Sequence, residues 1–101
     1  ESAFMYFAQN IGENALYLLD EPENSLSPAK QQELLKFLED SARFFGCQFV
    51  IATHSPFLLS MRGAKIYDMD ENPVDVKRWT SLSNVREYYD FFKKHEREFE
   101  G

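Results

Sequence analysis

The stretch that decides the fold is Ala15-Leu16-Tyr17-Leu18-Leu19-Asp20-Glu21-Pro22-Glu23-Asn24. Its first five residues are continuously apolar, which is typical of a strand buried on both faces, as in a parallel sheet. The acidic residues that follow are compatible with a solvated loop and with a catalytic site. Whether they form a site depends on what the rest of the chain places beside them.

A second strand of the same type is predicted at residues 48–52, and it ends in Thr53-His54-Ser55-Pro56. Between the two strands the sequence predicts a helix over residues 28–44. Ser27 is suited to cap its start, Pro28 to occupy its first turn and Gly46 to end it. Its predicted apolar face consists of Leu34, Leu35, Leu38, Ala42 and Phe45.

The predicted order of strand, helix and strand has a consequence for the residues that follow each strand. Open α/β sheets bind ligands just outside the carboxyl ends of their strands. Asp20, Glu21 and His54 are therefore expected to converge at one edge of a parallel sheet. The spacing of about 33 residues between Asp20 and His54 fits one strand-helix-strand unit.

The remaining segments complete an α/β pattern. Apolar residues at helical spacing predict a helix over residues 3–11, and Ser55-Pro56 predicts a short helix to about Met61. Residues 64–69 and 74–79 predict a hairpin around a turn at 70–73. Ser83 is expected to cap a final helix with its apolar residues near one face: Val85, Tyr88, Phe92 and Phe99.

Composition narrows the class of protein. The net charge of −6 disfavours direct binding of this segment to nucleic acid through its average field. Cys47 is the only cysteine, so no internal disulfide is possible, and a small buried side chain is expected there. No apolar run is long enough for a membrane span and no signal peptide is visible. We expect a cytoplasmic protein that does not associate with a membrane.

The residue types at the expected edge suit phosphate chemistry. Asp20 offers the oxygen ligands that Mg²⁺ prefers. Glu21 is placed to polarise an attacking water. His54 is placed to donate a hydrogen bond to a phosphate oxygen, although a lone histidine is more often structural.

Two motifs resemble a known family. The segment from Leu16 to Pro28 resembles the Walker B motif and D-loop of ABC-type ATPases, and Ile51-Ala52-Thr53-His54-Ser55-Pro56 resembles their switch-histidine loop. Their order and separation are similar to those of soluble bacterial ATPases of the AAA-labelled, SMC/RecF-like group. The resemblance covers nearly the whole chain. It implies the C-terminal portion of a P-loop NTPase domain, with a mainly parallel sheet flanked by helices and a C-terminal hairpin and helix.

The resemblance also implies roles for individual residues. Asp20 matches the Walker B aspartate associated with Mg²⁺, Glu21 the general base and His54 the switch histidine. The family's D-loop, which faces the opposite protomer, matches Asn24, Ser25 and Ser27, with Ser27 where an aspartate is usual. Glu1 and Ser2 resemble the tail of the signature motif, with Glu1 where many relatives have Gln. ATP, Mg²⁺ and a homodimer are the cofactors and partner implied.

The chain departs from the family pattern at its most characteristic loop. Its 101 residues contain no Gly-x-x-x-x-Gly-Lys-Ser/Thr stretch, and the four glycines lie far apart. That loop supplies the backbone cradle and the lysine for phosphates. We therefore expect residues 1–101 to form a partial ABC-type ATPase domain. Alone, the chain is expected to be inactive and prone to self-association through uncovered apolar sheet.

Three alternatives compete with the ATPase interpretation. One is a Mg²⁺-dependent nuclease or phosphoesterase built on Asp68-x-Asp70, although aspartate is common in turns for local bonding. Another is a non-catalytic interaction or dimerisation module. The third is a metal site formed by Asp20, Glu23, His54 and His95. His95 lies among charged residues, which favours a solvated side chain there.

Overall fold

The computed structural model describes Gly12 and residues 14–101. The predicted helix over residues 3–11 and the signature-motif residues Glu1 and Ser2 lie outside the described residues. The chain divides into two compact units, Glu1–Arg62 and Gly63–Gly101. Among the described residues, no helix is long and apolar enough to cross a bilayer.

The first unit is built on a strand-helix-strand arrangement. Strand β1 spans Leu16–Asp20, helix α1 spans Pro28–Phe45, strand β2 spans Gln48–Ala52 and the short helix α2 spans Pro56–Leu59. Strands β1 and β2 pair in parallel, with Leu16 opposite Gln48 and Asp20 opposite Ala52. The parallel pairing predicted from the two apolar runs is confirmed. So is the α/β class.

Capping residues fix the ends of α1 as the sequence predicts. The Ser27 side chain accepts a hydrogen bond from the Lys30 backbone N–H, and Pro28 begins the helix. Gly46 ends it with φ of 68°, a left-handed conformation that favours glycine. The Gly46 N–H donates to the Ser41 carbonyl, which satisfies one of the last helical acceptors.

The core of this unit lies between α1 and one face of the sheet. It is formed by Leu26, Leu34, Leu38 and Leu58, and the partly buried residues Leu19, Phe49 and Ile51 pack against it. Leu34 and Leu38 are almost wholly buried. Burial of one such side chain contributes roughly 1.5–3 kcal/mol.

The predicted apolar face of α1 is partly wrong. Ala42 and Phe45 are exposed, whereas Ser41 is buried. The buried residues 34, 38 and 41 recur at intervals of four and three, which places them on one side of an α-helix. Ala42 lies next to this stripe and turns away from the core.

The prediction that both strands are buried on two faces is also wrong for the described residues. Exposure alternates along each strand, so Tyr17 and Leu19 face inward while Leu16 and Leu18 face outward. Leu18 is 74% exposed and Val50 is 61% exposed. Because the sheet holds two strands with α1 packed on one face, the described residues of the first unit leave the outer face uncovered.

The second unit contains a hairpin and helices. Strands β3 (Tyr67–Asp68) and β4 (Asp75–Val76) pair antiparallel, followed by a 3₁₀ turn at Trp79–Ser81 and helices α3 (Ser83–Lys94) and α4 (Glu96–Glu100). The predicted hairpin is confirmed, but its strands are much shorter than residues 64–69 and 74–79. Ser83 begins α3 without capping it, because the N-cap is Leu82 and has no side-chain bond. Tyr88, Phe92 and Phe99 are half exposed or more, while Val85 is buried.

Candidate functional site

The candidate site lies at the carboxyl end of the β1–β2 pair. Asp20 is the last residue of β1 and lies opposite Ala52, the last residue of β2. The Glu21 backbone N–H donates to the Ala52 carbonyl at 2.7 Å, which extends the ladder by one bond. The backbone thus places Glu21 beside the residues that follow β2.

Glu21 and His54 come together at this edge. The His54 Nδ1 atom lies 4.0 Å from the Glu21 Oε1 atom. Their side chains are 79% and 44% exposed respectively, so both are accessible to a ligand or to water. The convergence expected from two parallel strands is therefore present between these two residues.

Glu21 adopts an uncommon backbone conformation. Its φ is 47°, in the left-handed region that non-glycine residues visit rarely. Ser25, in the same loop, has φ of 69°. Residues in such conformations persist where the surrounding contacts determine them, and they cluster at functional sites.

Glu23 connects the loop after β1 with the loop after β2. Its Oε1 atom accepts a hydrogen bond from the Thr53 hydroxyl at 2.7 Å. Its Oε2 atom accepts one from the His54 backbone N–H at 3.2 Å. Both carboxylate oxygens of Glu23 are therefore engaged by the loop that carries His54.

These contacts belong to a closed ring of hydrogen bonds. The Thr53 hydroxyl accepts from the Ser55 N–H at 3.0 Å, and the Ser55 hydroxyl donates to Gln31 Oε1 at 2.6 Å. The Gln31 side-chain amide donates to the Leu26 carbonyl at 3.0 Å. The Leu26 N–H donates to the Glu23 carbonyl at 2.9 Å, which closes the ring.

The ring includes residues whose contribution the sequence analysis missed. The sequence motifs give Gln31 no role, Thr53 only a place in the switch-histidine resemblance, and Glu23 only a place among the acidic residues after β1 and in a possible metal site. Gln31 lies four residues after the helix cap Ser27, so its side chain lies near the start of the helix. This position is the one sequence feature that could have indicated its contact with the neighbouring loops. Glu23 and Thr53 are 30 positions apart, so their hydrogen bond can be predicted only when the fold is known.

The D-loop residues lie in the connection from β1 to α1. Asn24 and Ser25 are exposed, and the Asn24 N–H donates to the Glu21 carbonyl at 3.1 Å. The side chain of Ser27 caps α1 through the Lys30 N–H at 3.2 Å. Ser27 therefore stabilises the start of α1.

No preformed metal cage exists among the described residues, since none of their groups of three or more His, Cys, Asp or Glu could hold an ion. Asp20, Glu23 and His54 thus form no preformed metal site, and the fourth proposed ligand, His95, belongs to the other unit. Glu23 is engaged by the His54 loop, and His95 pairs through Nδ1 with Glu98 at 2.6 Å.

The aspartates of the nuclease alternative have a local explanation. Lys77 Nζ lies 2.9 Å from Asp68 Oδ2, and the Asp70 N–H donates to Asp68 Oδ1 at 3.0 Å. The hydrogen bond from Lys77 lowers the pKa of Asp68, and the bond from the Asp70 backbone adds to this effect. Asp68 thus holds the hairpin, as aspartate commonly does in turns.

Cys47 is buried, as expected, and its thiol donates to the Gly12 carbonyl at 3.0 Å. Burial and a backbone partner are typical of a structural cysteine. Reactive cysteines lie in exposed, electropositive surroundings instead.

Comparison with known proteins places the chain in a family. Residues 4–60 match the model of a family described as "AAA domain, putative AbiEii toxin, Type IV TA system". The match covers more than half of the chain and ends close to the end of the first unit. The chain belongs to this family of AAA domains, a P-loop NTPase type whose general function is that of a nucleotide-binding ATPase.

The other comparisons give no further assignment. No curated protein and no solved structure matches the chain.

Proposed function

We propose that this chain forms the water-activating part of an ABC-type ATPase site that binds and hydrolyses ATP. One observation carries the proposal: Glu21 and His54 lie 4.0 Å apart at the carboxyl ends of neighbouring parallel strands. Membership of the AAA family supports nucleotide binding in general. The Walker B and switch-histidine resemblance gives the finer assignment.

Glu21 is the proposed general base. Its carboxylate is partly exposed, so an attacking water can approach it, and the bond from its backbone N–H to Ala52 fixes the main chain from which it extends. A carboxylate positioned in this way accepts a proton from water as the oxygen attacks phosphorus. General bases typically contribute about 10²–10⁴-fold to rate.

Asp20 is the proposed Mg²⁺ residue. Mg²⁺ bound with nucleotides usually takes one or two carboxylates and completes its shell with water and phosphate oxygens, so it requires no protein cage. Asp20 is exposed at the strand end and fits this mode of binding. When bound, Mg²⁺ would supply charge neutralisation for the phosphates.

His54 is the proposed γ-phosphate contact. Its side chain is 79% exposed, and its backbone N–H is fixed by Glu23. A donor held beside a phosphate oxygen stabilises charge that develops in the transition state.

The rest of the site must come from outside these 101 residues, which contain no Walker A loop. We refer to this chain together with a Walker A half as the complete domain. Phosphoryl transfer depends on a substrate held in line, so the chain alone is inactive in this proposal. Asn24, Ser25 and Ser27 would face a second protomer in a homodimer, with Glu1 and Ser2 contributing the end of the signature motif.

A second candidate function is an interaction or dimerisation module. The observation in its favour is the outer sheet face, where Leu16, Leu18 and Val50 are each at least 60% exposed. Exposed apolar sheet favours association with a partner or with another copy. This face is also the one that further strands and helices of a complete domain would cover, so the two functions are compatible.

The test is Mg²⁺-dependent ATP hydrolysis by the complete domain with and without Asp20→Asn. The substitution keeps the shape of the side chain but removes its charge. We expect phosphate release to fall strongly and to require more Mg²⁺. Equal activity and equal Mg²⁺ dependence in both proteins would refute the assignment of Asp20.

A further inference from the structure

The ring of hydrogen bonds described above singles out Glu23 by what it contacts. It lies two residues after Glu21 and binds the loop that follows the neighbouring strand. Neither of these contacts is with Glu21 or His54 side-chain atoms. These two contacts can therefore affect His54 through the position of the loop.

We propose that Glu23 is a positioning residue that holds the loop Thr53–His54–Ser55 so that His54 faces Glu21. This inference rests on the proposed function. The carboxylate is suited to the task because it has two oxygens and uses one for the Thr53 hydroxyl and the other for the His54 N–H. Hydrogen bonds to an ionised acceptor are about twice as strong as neutral ones.

The ring extends the effect of Glu23 to the segment between β1 and α1. Gln31 on α1 bonds both Ser55 and the Leu26 carbonyl, so the His54 loop, the helix start and the end of the acidic loop are linked. Leu26 is buried, which joins one side of the ring to the hydrophobic core of the unit. A movement of Asn24 or Ser25 would therefore reach His54 through Glu23.

Hydrogen exchange in the complete domain tests the contact without reference to hydrolysis. Glu23→Ala removes both acceptors, and we expect faster amide exchange at His54 and Ser55. Glu33→Ala is the matched control, because Glu33 lies exposed on α1 and pairs only weakly with Lys30 at 3.5 Å. Unchanged exchange at His54 in Glu23→Ala would overturn the proposal.

Kinetics of a double-mutant cycle then separate positioning from general loss of structure. We expect Glu23→Ala to slow ATP hydrolysis by about 10- to 100-fold, as misplacement of a catalytic group does. In a background of His54→Ala the same substitution should cause little further loss, because its effect passes through His54. Equal losses in both backgrounds would contradict the proposal.

A second variant keeps the proposal testable if Glu23→Ala does not fold. Thr53→Val removes the hydroxyl that binds Glu23 and preserves the shape of the side chain. This variant should also accelerate amide exchange at Ser55 and slow ATP hydrolysis. Exchange and hydrolysis at wild-type rates would contradict the proposal that Glu23 holds the loop through Thr53. If the complete domain hydrolyses no ATP, the proposed function fails, while the exchange result still decides whether Glu23 holds the loop.

Discussion

His54 Nδ1 lies 4.0 Å from Glu21 Oε1, although the two residues are separated by a helix and a strand. The parallel register brings them together, because Asp20 and Ala52 end their strands side by side. The bond from the Glu21 N–H to the Ala52 carbonyl carries the alignment one residue further. The backbone thus brings the two residues to the same edge of the sheet, and their exposed side chains then lie close together.

Replacing His54 should slow turnover. His54→Ala removes the proposed phosphate contact, and loss of one transition-state donor typically costs about 10²–10³-fold. Steady-state phosphate release by the complete domain measures the effect. The matched control is His95→Ala, since the sequence has two histidines and His95 pairs with Glu98 in the other unit. Equal losses in both variants would argue against a specific role for His54.

The 101-residue chain alone should neither bind nor hydrolyse ATP appreciably. Its rim carries Asp20, Glu21 and Glu23 on a chain of net charge −6, which repels a nucleotide polyanion. Calorimetric titration with Mg-ATP measures binding directly. Micromolar affinity, or phosphate release that Glu21→Gln abolishes, would show that the chain retains more of the site than proposed.

Stability of the first unit should depend on Leu38. Leu38 is 0% exposed, and Leu38→Ala is expected to cost about 2–5 kcal/mol in the free energy of unfolding. The same substitution at Leu18, which is 74% exposed, should change it by less than about 0.5 kcal/mol. Chemical denaturation of the chain at low protein concentration checks both values, because association then contributes little. Similar losses at both positions would contradict the assignment of the core.

The hairpin of the second unit should be most stable between acid and strong alkali. The hydrogen bond from Lys77 lowers the pKa of Asp68 below 3.8. The stabilisation of the hairpin by the ionised Asp68 carboxylate is therefore present above about pH 4 and is lost as pH falls through the lowered pKa. The hydrogen bond to Asp68 raises the pKa of Lys77 above 10.5. The stabilisation of the hairpin by the charged Lys77 side chain is therefore complete below pH 10.5 and is lost as pH rises through the raised pKa.

Amide exchange at Tyr67 and Val76, which pair across the hairpin, measures this pH dependence. Asp68→Asn should remove the acid limb of the profile. Asp70→Asn is the control, because Asp70 contacts Asp68 through its backbone N–H. An acid limb that persists in Asp68→Asn would assign the pH dependence to another group.

Local sequence signals predicted the elements of the first unit well. The apolar runs indicated two parallel strands, and Ser27, Pro28 and Gly46 marked the ends of α1. These features succeed because each depends on a few adjacent residues. The meeting of Glu21 with His54 followed from topology alone, since strands that are parallel end at the same edge.

Features that depend on tertiary packing were less predictable. The rotation of α1 that buries Ser41 and exposes Ala42 is decided by the sheet it packs on. Leu18 and Val50 lie on the outer face of the sheet and are exposed. Burial of that face needs a further layer, which the described residues of the first unit do not provide. The bond from Thr53 to Glu23 joins side chains 30 positions apart, and neither residue type identifies its partner.

The most direct measurement of the central claim is ATP binding and hydrolysis by the complete domain with Glu21→Gln. The amide preserves the size of the side chain and removes its basicity. We predict that phosphate release falls by about 10²–10⁴-fold while the affinity for Mg-ATP is unchanged. Hydrolysis at the wild-type rate by Glu21→Gln would contradict the assignment of Glu21 as the base, and with it the proposed site.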